Sequence, residues 1–170
     1  MDRFDLGKHS RKISTASPEA QRWFDLGLNW CYGFNHEEGV KCFRKALEHD
    51  PHCVMAHWGI AYGSGPFYNL IWREMGNDQV ARFTKTASHH LDRAKALAGG
   101  ATEIENDLVH AMTCRFQKPH PVPVDELEAW DDAYAAQLRR LHYIYPDDRD
   151  IAALLAEALV TRTPRKLWNL

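Results

Sequence analysis

Apolar side chains recur three and four positions apart along almost the whole chain. No stretch alternates apolar with polar as a half-buried strand would. The pattern predicts seven helices, over about 18–32, 36–49, 53–63, 78–98, 102–117, 125–145 and 149–160, after an extended arm at 1–17. Ser17-Pro18-Glu19 is a helix start: a capping hydroxyl, proline at the first helical position, an acid in the first turn. Gly33-Phe34-Asn35 makes a tight turn, Pro51 stops the second helix, and Pro146-Asp147-Asp148 turns the chain into the last one. "KPHPVP" is a stiff, extended connector. Ser64 to Asn77 carries Phe67, Tyr68 and Trp72, too many aromatics for a plain link. It either folds over as a lid or packs on the outside.

Helices in antiparallel pairs call for a search for repeats. The stretch "WFDLGLNWCYGFNHEEGVKCFRKALEHDP" resembles the tetratricopeptide pattern, a helix-turn-helix of about 34 residues. Trp23, Leu26, Gly27 and Trp30 sit at its first-helix spacing, and Gly39, Phe43, Ala46 and Pro51 at its second. The chemistry of that spacing is packing: Gly27 and Gly39 allow close helix approach, the rings fill the flanks, and Pro51 ends the unit. Phe43, Leu91 and Leu138 then recur at 48 and 47 residues, as do Pro51, Gly99 and Pro146. The later units therefore carry about 14 extra residues, near the range of HEAT and armadillo repeats. The complete first unit favours an all-α, tetratricopeptide-like helical-hairpin solenoid. It has about three and a half repeats over 18–160, with long inserts in repeats two and three and a tail at 161–170.

A more specific resemblance covers about residues 5–160. "SPEAQRWFDLGLNWCYGFNHEEGVKCFRKALEHDPHCVMAHWGIAYGSGP" is similar to the opening of a tetratricopeptide family of bacteria and fungi. In that family "YGFNHEEA" and "AMAHWGIAYALGPNYN" are typical. Here Gly39 stands where alanine is usual and "GSGPFYN" replaces "ALGPNYN". The resemblance implies a fold rather than a reaction, and members of the family are longer than this chain.

In such a solenoid the first helix of each pair builds a concave wall. Counting one position beyond the packing residues places Phe24, Leu28, Cys31 and Tyr32, then Trp58 and Tyr62, then Asn106, His110 and Thr113 on it. The wall is aromatic and nearly uncharged. Phe24, Leu28, Gly59 and Glu103 occupy the places where chaperone-type domains of this class carry a clamp for a terminal carboxylate, so that clamp is missing. An apolar peptide, a partner helix or a small aromatic ligand would suit the groove. Alternatively, the superhelix closes on its own arm or on further repeats.

Composition changes this picture little. The chain of 170 residues is 45% hydrophobic and 26% charged, with a formal net charge of −2, and its bases are dispersed among acids. That argues against nucleic acid as a partner. Lys8, Arg11 and Lys12 form the only basic cluster, expected to be a solvated arm. No apolar run spans a bilayer and the start lacks a secretory signal, so no membrane partner and a cytoplasmic location are expected. Four scattered cysteines suggest thiols.

Ten histidines keep metal chemistry open. His49, His52, Cys53 and His57 form one cluster, and His110 with Cys114 repeats an i, i+4 spacing, with ligand types that suit Zn or Cu. Against this, His49 and His52 flank a repeat boundary that needs no metal, and His57 stands where the pattern places a core tryptophan. His36-Glu37-Glu38 sets acid beside base, although acids at a helix start also serve the helix dipole. No nucleotide, hydrolase or metalloprotease fingerprint is present, so no catalytic residue, metal or cofactor is assigned.

The expected role is a scaffold that offers the concave groove to a protein or peptide partner. The rival is small-molecule or metal binding, including an enzymatic use, resting on Trp58, Tyr62, His110 and Cys114. Leu154, Leu155 and Leu159 on the last helix have no second helix behind them. Either the chain is a piece of a longer solenoid or that face forms a homodimer.

Overall fold

The computed structural model describes residues 5–164. Seven α-helices account for them: α1 (Pro18–Tyr32), α2 (His36–His49), α3 (Val54–Gly63), α4 (Asn77–Ala96), α5 (Glu103–Arg115), α6 (Val124–Ile144) and α7 (Arg149–Thr161). There is no strand among the described residues, only one bridge between Phe67 and Leu70. No helix among them is long and apolar enough to cross a membrane.

Local chemistry sets the helix starts. Ser17 accepts from the Ala20 amide at 3.2 Å, Asn35 from Glu38 at 3.2 Å, and Asp148 from Ile151 at 2.9 Å. Thr102 and Glu105 form a reciprocal capping box at α5.

Packing follows chain order. α1 lies on α2, α2 on α3, α3 on α4, α5 on α6 and α6 on α7, while α3 also touches α1 and α5. All ten residues of α3 are buried, so this helix is the axis of the core. Gly27 and Gly39 bring α1 and α2 together: a Cβ on either would stand 3.0 Å from the other's carbonyl oxygen. The Phe43 ring fills the space between Gly27 of α1 and Gly59 of α3.

Residues 64–76 form no lid. Ser64, Gly65 and Pro66 are buried, the Trp72 ring meets Phe116 edge-on at 6.2 Å, and Arg73 pairs with Asp125 and Glu128 of α6. The segment is packed between α3 and the later helices.

The arm is solvated only in part: Lys8 and Lys12 are exposed as expected of the basic cluster, whereas Arg11 is half-buried and paired, which corrects the expectation for that residue. Arg11 donates to Asp148 at 2.9 Å and to Asp150 at 3.0 Å, and His9 pairs with Asp150 at 2.8 Å. Ser14 donates its amide and hydroxyl to Glu105, Thr15 its hydroxyl to Asp50, and Ile13 is in the core. Carboxylates recruited from the α2–α3 link, α5 and α7 thus hold one short stretch. Arg11→Ala is expected to cost about 1–3 kcal/mol in urea denaturation. Amide exchange over residues 9–15 should quicken while α3 stays protected. Unchanged exchange there would mean that these pairs do not hold the arm.

Candidate functional site

A polar interior lies where α2, α3, α5, α6 and α7 meet. The end of α5 delivers Arg115, which is fully buried. Its Nε donates to Asp131 of α6 at 2.9 Å, its Nη2 to the Pro66 carbonyl at 2.7 Å, and its guanidinium lies 4.9 Å from the Tyr134 ring centre. From α7, Glu157 accepts the Tyr62 hydroxyl at 2.9 Å. The Tyr62 ring stacks on Trp58 at 5.2 Å. At the first position of α2, the buried His36 ring stacks on Phe67 at 4.1 Å. Its Nε2 stands 4.0 Å from Glu157 Oε1, beyond hydrogen-bond reach.

Burial dominates the electrostatics. It pushes the His36 pKa down to about 3, with Arg115 adding repulsion, so the imidazole is neutral. Burial raises the carboxyls of Glu157 and Asp131, and Arg115 opposes both shifts. The Tyr62 and Tyr134 hydroxyls are also raised by burial and remain donors.

The histidine shift has a consequence for stability. Its folded pKa lies below the ordinary 6.5, so the unfolded chain takes up a proton first as pH falls. Stability from this group is complete above about 6.5 and is lost as pH drops toward about 3. Between pH 7 and pH 5 the loss is about 2 kcal/mol. His90, half-buried and lowered by desolvation to about 4, adds a change of the same sign and of similar size over this window, discounted by its partial exposure. Urea denaturation at both pH values checks this. His36→Phe keeps the stacking and should remove about half of the slope, with His90 supplying much of the rest; an equally steep slope in that variant would contradict the assignment.

Several buried polar atoms here have no protein partner: both His36 nitrogens, Glu157 Oε1, Arg115 Nη1, Tyr134 Oη and Trp58 Nε1. Buried polar atoms are ordinarily paired, and an unpaired set gathered around one carboxyl is uncommon. Together they offer several donors, one carboxyl oxygen and an imidazole that gives one hydrogen bond and takes another. Beside them a pocket of about 570 Å³ opens between α2 and α4, with His36, Ser64 and Gly65 in its lining. A Cβ on Gly65, which lines the pocket, would lie 3.5 Å from Arg115 Nη1, so the guanidinium lies close behind that wall.

The expected wall residues divide into two groups. Phe24, Leu28, Cys31, Trp58 and Tyr62 are core side chains, 0–1% exposed, and do not form an open groove. The causes differ: Phe24 and Cys31 face α2, with the Phe43 ring 5.5 Å from Phe24 and Gly39 beside the Cys31 sulfur, while Tyr62 reaches Glu157 of α7 and the half-buried Tyr32 reaches Asp150 at 2.8 Å. Asn106, His110 and Thr113 lie away from that interior. α5 buries Glu105, Leu108, Val109, Met112 and Arg115, which leaves His110 exposed on the other side. Among the repeat positions, Gly27, Gly39, Phe43 and Ala46 are buried, Trp23, Leu26 and Trp30 are half-buried, and Pro51 is exposed.

The candidate metal ligands do not converge. His49 and His52 are exposed, Cys53 is buried, and His57 pairs with His90 through their Nδ1 atoms at 2.8 Å. The Cys114 thiol turns to the His110 carbonyl at 3.7 Å. No group of three or more His, Cys, Asp or Glu among the described residues is placed to hold a metal ion.

Arg115, Asp131, Tyr134, Glu157 and the placement of His36 escaped the sequence reading. A signal existed for one: Asp131 falls on the apolar stripe Leu127, Trp130, Tyr134 and Leu138, where an acid is out of place. Comparison with family models, with curated proteins and with solved structures finds no match to this chain.

Proposed function

We propose that this chain is a tetratricopeptide-like helical-repeat domain that binds a small molecule, in the pocket between α2 and α4 and against the polar interior behind it. The observation that carries the reading is His36: it lines the pocket, it is buried, and neither ring nitrogen has a protein partner. A volume of about 570 Å³ falls in the range of small-molecule sites. The repeat-like architecture rests on consecutive helix packing and on the glycine-mediated approach of α1 to α2. A protein partner on the inner wall is the weaker reading, because Phe24, Trp58 and Tyr62 are buried core side chains and Tyr62 is already engaged by Glu157 of α7.

A thermal-shift screen of a small-molecule library against the wild type, His36→Phe and Thr86→Trp tests the reading. Thr86 lines the pocket, and tryptophan there would fill it. Ligands that raise the wild-type midpoint by several degrees should lose that effect in both variants. Hits that stabilise all three proteins equally would refute the site.

A further inference from the structure

The pocket has chemistry beyond the histidine that lines it. Val40, Phe67, Leu70 and Phe83 give it apolar walls. Arg44 of α2 and Arg82 of α4 also line it; both are exposed, and neither has a carboxylate partner among the described residues. Lys41, the third cation, is held by Glu38 at 2.6 Å and by Glu37 at 3.5 Å. That contact also occupies Glu37, the only acid among the described residues of the lining.

The turn before α2 adds a further feature. Phe34 has φ 61, in the left-handed region, where a bulky residue costs about 1–2 kcal/mol. Its ring lines the pocket and stays 49% exposed. A hydrophobic ring held at that backbone cost against an open pocket is a contact surface in want of an apolar neighbour.

We propose that the pocket takes a small organic anion with an apolar body, its charged group on Arg44 and Arg82, its body against Phe67 and Phe83, and a neutral polar end on His36. This rests on the small-molecule reading above and names the ligand class. Guanidiniums with no carboxylate partner, Arg82 among them although it lies 5.7 Å from the Phe83 ring centre, bind carboxylate, phosphate or sulfonate through charge-assisted hydrogen bonds. The neutral floor gives one hydrogen bond and takes one but rewards no second charge, so the two ends of the ligand are told apart.

Fluorescence titration of the full chain with anilinonaphthalene sulfonate, followed by competition with decanoate, decyl phosphate and decanol, tests the assignment. Saturable binding is expected, weakened about tenfold in the Arg44→Gln, Arg82→Gln double variant. Decanoate or decyl phosphate should displace the probe about tenfold better than decanol, and the stronger of the two identifies the head group. If decanol competes equally, or the double variant binds unchanged while Thr86→Trp abolishes binding, the anion assignment falls and the pocket reading stands. If Thr86→Trp leaves binding unchanged, both fall. Absence of saturable binding by any of these probes also overturns the proposal.

Discussion

Arg115→Met is expected to cost about 3–5 kcal/mol of unfolding free energy at neutral pH, the largest single-residue effect in the charged interior. The guanidinium is fully buried, and its bond to Asp131 closes an ion pair whose side chains are 1% and 5% exposed. Methionine keeps much of the volume but leaves Asp131 charged and unanswered away from water. The Pro66 carbonyl loses its donor as well. Replacing both partners, as Arg115→Met with Asp131→Leu, should recover most of the loss, because an apolar pair carries no desolvation penalty. Arg115→Lys should fall between, since an ammonium cannot reach Asp131 and Pro66 with one planar fork. Urea midpoints across the set decide the matter. A cost below about 1 kcal/mol for Arg115→Met would show that this interior is wet.

Phe43→Ala should be comparably damaging, at about 3–5 kcal/mol, because the ring is fully buried between three helices. The same contact makes Gly59→Ala costly, by about 1–3 kcal/mol. An added methyl carbon would sit 2.7 Å from three atoms of the Phe43 ring, and the Gly27 backbone on the other side denies the ring a retreat. Phe43→Leu combined with Gly59→Ala should therefore cost less than the two changes summed, since the smaller side chain yields the space the methyl needs. Strict additivity in denaturation experiments would mean that the clash is not the cause.

Helix existence and limits were legible because their signals are local. The Ser17 cap, the turns that end at Asn35 and Asp148, and the Pro51 stop act within one turn of where they stand. Small departures have local causes too. α4 begins at Asn77 behind Gly76, and it ends at Ala96 because Ala98–Gly100 tightens into a 3₁₀ turn. The candidate site was less legible. Placing Phe24, Leu28 and Trp58 on a groove presumed an open superhelix, and helical periodicity reports only that a face is apolar, not whether a neighbour covers it. For α3, buried all round, core and wall are the same surface. Arg11 and Asp148 are 137 residues apart, and Tyr62 and Glu157 are 95 apart. Charges matched over such distances leave no period to detect. Arg115 and Glu157 accordingly carry no signal in the sequence pattern.

The stapled arm also constrains how the polypeptide matures. Residues 9–15 leave the ribosome early, while their partners Asp148 and Asp150 are translated about 140 residues later. At usual elongation rates the nascent chain waits on the order of ten seconds before that seam can close. During the wait Ile13 and the faces meant for α7 are open to chaperones, proteases and neighbouring nascent chains.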